Sequence, residues 1–174
     1  MKIVRIFDEK LFAFHYDNED ENELSRLLDL WSDVSYLYQF LKDNKQDIGS
    51  LPIGKLTEQI LADAEYINDF LERLSNNENE KLEYFFKPLY NSEYQFQLLS
   101  LQKGSKNYLR IYALKIDENC FVITGGAIKF THLMEDRAHT DNELHKLASA
   151  KQFLKAHGVH DSDSFYEFLI DIPL

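Results

Sequence analysis

Two periods of hydrophobic spacing alternate along the chain, and each change of period marks a predicted element. The runs 2–7 (KIVRIF) and 11–16 (LFAFHY) are rich in β-branched and aromatic residues. Asp8, Glu9 and Lys10 part them, which predicts a hairpin with a short polar loop. From Asn22 the spacing becomes helical: Leu24, Leu27, Leu28, Trp31, Val34, Tyr38 and Leu41 predict one amphipathic helix over residues 20–44. The stretch from Ile48 to Gly54, with Pro52 between two glycines, breaks that pattern. A second helix follows, marked by Leu56, Ile60, Ala64, Ile67, Phe70 and Leu74.

After the polar loop at 75–79, Leu82, Phe85 and Phe86 predict a helical turn that Pro88 ends. Three strands are predicted next, at 94–101, 108–116 and 120–131. Their connections are short, so neighbouring strands should be antiparallel. Thr140 and Glu143 have the spacing of a capping box, in which hydroxyl and carboxylate each satisfy the other residue's backbone N–H. A helix should run from there to His157 and stop at Gly158, and a last short helix should span 163–170 with Asp161 or Ser162 as its cap. The order predicts an α+β fold: an antiparallel sheet with an N-terminal hairpin, two helices, three further antiparallel strands and C-terminal helices, the helices packed on one sheet.

A length of 174 residues fits one domain. Within it, 1–54 forms a hairpin and acidic-helix elaboration, 55–157 a core, and 158–174 a C-terminal short helix. Hydrophobic residues at 44% and aromatics at 14% exclude whole-chain disorder. The single cysteine, Cys120, lies in a hydrophobic run, so a buried inert thiol is expected and an intramolecular disulfide is excluded. The chain reads as cytoplasmic, with no signal-like leader and no apolar run near the roughly 18–20 residues that span a bilayer.

Charge changes the picture further. Nineteen Lys and Arg face thirty Asp and Glu, a net charge of −11, which argues against a general polyanion binder. The distribution is uneven: residues 1–81 carry −9, 82–158 carry +2, and 159–174 carry −4. An anionic ligand is therefore expected in the middle segment. The acidic run 17–23 lacks the glycine and spacing of a calcium loop and reads as the N-terminus of the first helix. The helix histidines His139, His145 and His157, with His160, contain no metal motif, so neither a metal nor another cofactor is expected.

The candidate chemistry lies between Lys103 and His132. Strand alternation places Tyr108, Arg110 and Tyr112 on one face and Leu109, Ile111 and Ala113 on the core face. Counting outward from the 117–119 turn sets Arg110 opposite Gly125 or Gly126, two glycines that permit close approach or a bulge. Arg110, Lys129 and the Lys103/Lys106 loop then converge on one solvent-facing patch. Such a patch suits phosphodiester chemistry without a metal: Arg holds the phosphate bidentately, Lys adds charge, and a Lys or His exchanges protons. An Arg between tyrosines on a strand is also an ordinary cross-strand contact.

At Tyr108-Leu109-Arg110-Ile111-Tyr112, Phe121-Val122-Ile123 and Lys129 the chain resembles the RelE/HigB-like toxin superfamily, including its phage Gp49-like branch. In that family a strand bearing an invariant Arg precedes a hydrophobic strand ending in basic residues, and a helix follows. The resemblance covers roughly residues 55–157. It implies an mRNA endonuclease, ribosome-dependent or free, in a toxin–antitoxin or phage-related locus and silenced by an antitoxin that often carries a helix-turn-helix domain. Arg110 would stabilise the phosphate, Lys106 and Lys129 would supply charge or act as acid and base, and Tyr112 or His132 would orient the RNA, with Tyr108 and Lys103 beside it. The alternative is a catalytically inactive α+β interaction module whose acidic helices bind a protein partner.

Overall fold

The computed structural model describes residues 1–7, 10–76, 81–84, 86–88, 97–101, 108–130 and 137–170. Its elements run β1 (Lys2–Phe7), β2 (Leu11–His15), α1 (Glu23–Ser32), α2 (Val34–Asp43), α3 (Lys45–Ile48), α4 (Ile53–Ser75), a 3₁₀ turn (Leu82–Tyr84), β3 (Phe86–Pro88), β4 (Gln97–Leu101), β5 (Leu109–Asp117), β6 (Cys120–Ile128), α5 (Ala138–Ala156) and α6 (Ser162–Ile170). The fold is α+β. All six strands form one sheet in the order β1-β2-β6-β5-β4-β3. Four of the five pairings are antiparallel, and β2 with β6 is parallel. That exception follows from the chain path: β2 leaves the sheet into the helices, and the strand that comes to lie beside it is the last one made.

The sheet is covered on both faces, where one covered face was expected. Leu24, Leu27 and Trp31 of α1, Leu37 and Leu41 of α2 and the inner stripe of α4 pack with Leu109, Ile111 and Ala113 of β5. On the other face Leu147, Ala150 and Leu154 of α5 and Phe165 of α6 pack with Tyr112, Leu114 and Val122. Alternation along β5 is as predicted, but its second face is also core. Buried on both sides along its whole length, β6 reads as a nearly continuous apolar run.

Several boundaries differ from the sequence expectation for local reasons. The single helix over 20–44 is two, because Asp33 is extended (φ −82°, ψ 105°) and its side chain accepts from the Ser35 and Tyr36 N–H groups at 2.8 and 3.1 Å. Asp33 thus ends α1 and caps α2. Pro88 does not terminate a helix; it belongs to β3, the edge strand, where a missing N–H costs no ladder bond. The Thr140/Glu143 capping box does not form. Helix α5 starts earlier, and the Thr140 hydroxyl donates to the Arg137 carbonyl at 3.0 Å. At the far end Gly158 adopts φ 78°, ending α5 as expected, and Asp161 Oδ1 accepts from the Ser164 N–H at 2.9 Å at the start of α6. Cys120 is buried. Among the described residues no helix is long and apolar enough to cross a membrane, and no cluster of His, Cys, Asp and Glu has the makings of a metal site.

Candidate functional site

Two features lie side by side in the sheet: the β5–β6 end that carries Arg110, and a fork where β6 parts from β2. The Lys129 N–H donates to the Tyr108 carbonyl at 2.8 Å, and Arg110 pairs with Ala127. The expected partner was Gly125 or Gly126; those pair with Tyr112 and Ile111 instead. The register shifts twice, at Lys115/Asp117 and at Tyr112/Ala113, and the two shifts offset each other; the expectation missed by one or two residues because it treated 117–119 as the turn, whereas Asp117 itself pairs with Cys120. This register makes Arg110 and Lys129 diagonal neighbours across the two strands, close enough for both long side chains to reach one anion.

The Arg110 guanidinium is half-buried and Nη1 donates to the Leu109 carbonyl at 2.8 Å. Burial pulls its pKa below the ordinary arginine value, against a smaller opposing effect of Tyr112. Tyr108 is half-buried and its ring lies 4.7 Å from that of Phe130. Tyr112 is only 1% exposed, beneath α5, and so is a core residue and not an open-face phenol. Lys103, Lys106 and His132 lie outside the described residues. Of the predicted patch, the structure therefore brings together Arg110 and Lys129; the Tyr108 ring, with Phe130, packs against the cluster on the α1/α4 side of the sheet, the face opposite Arg110, and does not join Tyr112 and Arg110 as strand alternation predicts.

The fork arises from topology. The parallel β2–β6 pairing ends at Ala13 and Ile123. Beyond it β2 feeds α1 on one face and β6 leads to α5 on the other. Neighbouring parallel strands whose connections leave to opposite faces create a crevice at their carboxyl ends. Here the two glycines shape it. A Cβ at Gly126 would stand 2.6 Å from the Arg110 carbonyl oxygen and 2.7 Å from Leu27 Cδ1, and one at Gly125 would overlap Glu143 Oε2. The missing side chains let α1 and α5 approach β6 from opposite sides.

A buried polar cluster fills the crevice. Glu23, 1% exposed, accepts from Arg26 through two bonds, Nε at 3.0 Å and Nη2 at 2.9 Å, and from Lys146 Nζ at 3.1 Å. Lys146 also lies 3.4 Å from Glu143 Oε1 and 5.4 Å from the centre of the Tyr16 ring. The Tyr16 hydroxyl closes the gap between the strands by donating to the Thr124 carbonyl at 2.7 Å. The result is two carboxylates and two cations joining the two helical layers through the gap in the sheet.

Electrostatics differ among the four. Burial lowers the Arg26 pKa, but the hydrogen bond and charge of Glu23 outweigh it, holding the guanidinium above its ordinary value. Burial pushes the Glu143 carboxyl up to about 7, and Glu23 adds repulsion against the pull of Lys146. Burial and the two carboxylates also push the Tyr16 phenol up. Glu143 Oε2 has no hydrogen-bond partner among the described residues. A cleft of about 110 Å³ reaches this carboxyl between α1, α2 and α5, with Arg26, Tyr36, Phe40 and His139 in its wall. His139 Nε2 is 2.9 Å from the Ile128 carbonyl, so this nitrogen carries the proton.

Sequence reasoning missed Glu23, Arg26, Glu143, Lys146 and Tyr16. The available signals were the i,i+3 pairs Glu23/Arg26 and Glu143/Lys146 and, distant from both in the sequence, the Gly125-Gly126 pair, but charged pairs at that spacing are also common on solvated helix faces. A comparison with protein-family models, curated proteins and solved structures finds no match for this chain.

Proposed function

We propose that the protein is a cytoplasmic, RelE/HigB-like toxin: a metal-independent endoribonuclease acting on mRNA, from a toxin–antitoxin or phage-related locus. One observation carries the reading. The β5–β6 register makes Arg110 and Lys129 diagonal neighbours at one end of the sheet. The order of elements supports it too, since an Arg-bearing strand is followed by a hydrophobic strand, a lysine and a helix. In this reading Arg110 grips the scissile phosphate and stabilises the charge that builds on it as the adjacent ribose 2′-oxygen bonds to phosphorus and the P–O5′ bond breaks, one group taking the 2′-hydroxyl proton and another protonating the leaving 5′-oxygen. Lys129 contributes a second point charge. Lys106 and His132 are the proton-transfer candidates, with Lys103 along the RNA path, and a helix-turn-helix antitoxin is the expected partner.

The test is induced expression of the wild type beside Arg110→Ala, Arg110→Lys and Lys129→Ala, with growth and mRNA cleavage followed. Loss of one charge-stabilising donor should lower cleavage by about 10²–10³-fold. Arg110→Lys should retain only part of the activity, because an ammonium cannot reproduce the planar fork. A folded wild type that neither arrests growth nor cleaves RNA refutes the reading.

A further inference from the structure

We propose that the groove between α1 and α4 is a docking site for a cationic amphipathic helix of a partner protein, one with Lys or Arg recurring every seven residues beside an apolar stripe. The proposal does not rest on the RNA reading and concerns the other helical layer. Two connected hollows run along the α1/α4 seam, of about 630 and 300 Å³, sharing Leu28 and Asn68 in their walls. Their floor is apolar: Leu28, Leu61, Ile6 and Phe7 are each only partly covered by the rest of the chain. A partly covered apolar trough between two helices is the shape that a third helix fills by setting its side chains between theirs.

The rim specifies the charge of the occupant. Glu58, Glu65 and Glu72 stand at seven-residue intervals along α4, all exposed, and all line the groove. Leu61, Asn68 and Ser75 repeat at the same interval one step inward. Asp29 of α1 faces them from the opposite bank. No Lys, Arg or His lines either hollow, and none of these four carboxylates forms a salt bridge among the described residues. A seven-residue repeat of one charge flanking an apolar seam is how paired helices select a partner of opposite charge and set its register. The ladder from Glu58 to Glu72 spans about 21 Å at 1.5 Å per residue, so the partner helix needs about four turns.

The probe is a synthetic helical peptide of about 21 residues with Leu at the seam positions and Lys at the flanking positions, together with the same peptide bearing Glu for Lys. Fluorescence anisotropy should show saturable one-to-one binding of the Lys peptide to the full chain. The Glu peptide should not bind, and raising salt from about 50 to about 500 mM should weaken the complex. The combined Glu58→Lys, Glu65→Lys and Glu72→Lys variant should bind at least about tenfold more weakly, and Leu61→Asp should do the same through the floor. The combined Asp43→Lys, Glu118→Lys and Glu167→Lys variant, with the same net charge change at exposed sites away from the groove, should bind within about twofold of wild type. Circular dichroism confirms that each variant is folded. Absence of saturable binding by the wild type overturns the proposal. So does equal weakening by the two charge-reversed variants, which would mean attraction by net charge alone, or self-association abolished by Leu61→Asp, which would assign the groove to a second copy of this chain.

Discussion

Replacing Glu143 by Gln removes a charge from the crevice while keeping the side chain's shape, and the structure assigns a sign and size to the effect. The side chain is 8% exposed, so solvent screens it little. Folding moves the carboxyl from its ordinary 4.5 to about 7. The native state therefore holds this proton more tightly than the unfolded state does, and the unfolded chain releases it first as pH rises. Stability is thus unaffected by Glu143 below about pH 4.5, falls between about 4.5 and 7, and has lost about 3 kcal/mol above that, at about 1.4 kcal/mol per tenfold change in proton affinity. The charged groups around it are Glu23 and Arg26 from α1, Lys146 on its own helix, and the phenols of Tyr16 and Tyr36. Both phenols are pushed upward, so neither ionises in this window. Urea unfolding of wild type and Glu143→Gln across this range should give curves that converge in acid and separate by about 3 kcal/mol above neutrality, the variant being the more stable. Parallel curves, or a wild type that gains on the variant as pH rises, would refute the reasoning: they would mean that Lys146 and Arg26 stabilise the carboxylate by at least as much as burial destabilises it.

Two further substitutions test the local geometry. Gly125→Ala places a methyl group against Glu143 Oε2, 3.1 Å from its Cδ, and should destabilise the fold by about 1–3 kcal/mol. The penalty should shrink when Glu143→Ala is also present, and additive effects in that double-mutant cycle would show that the clash is elsewhere. Asp33→Ala removes the two side-chain bonds that start α2 and should lower stability by about 1 kcal/mol, with Asp33→Ser retaining most of it; equal losses in both variants would deny the cap its role.

The elements were legible where one physical signal dominated. The hairpin, the length of α4, the β5–β6 pair and the Gly158 stop follow from apolar period and turn chemistry, and the structure has them. The break at Asp33 was not legible, because the apolar spacing runs through it without interruption and only tertiary packing selects the capped break. The second helical layer was hidden for a related reason: Tyr112 and Arg110 look polar on the page, yet Tyr112 contributes its ring to the core beneath α5. The crevice cluster was least legible. Glu23 read as a helix N-terminal acid and Glu143 as a cap, and both roles are local. Their burial depends on β2 lying parallel to β6, a pairing between residues more than a hundred positions apart.

The same layering bears on the objection that a chain of net charge −11 should repel RNA. The acidic ladder of α4 and Asp29 of α1 belong to the helical layer that packs on the Leu109, Ile111 and Ala113 face. Arg110 alternates with those residues and belongs to the opposite face, where it pairs with Ala127. A sheet-to-helix layer is about 10 Å thick, and the rim carboxylates stand on its outer side. They lie more than one screening length, about 8 Å at physiological salt, from the arginine. Acidic α6 is also displaced: Phe165 meets Phe12 at 5.4 Å, and Phe12 sits beside Val122, the partner of Leu114. Leu114 is four residues along β5 from Arg110, about 13 Å by strand rise. Net charge therefore opposes the long-range approach of a polyanion more than it opposes a phosphate already at Arg110. For the RNA site proposed at Arg110, the expected signature is an association rate that rises when salt screens the repulsion, the reverse of what a basic nuclease shows.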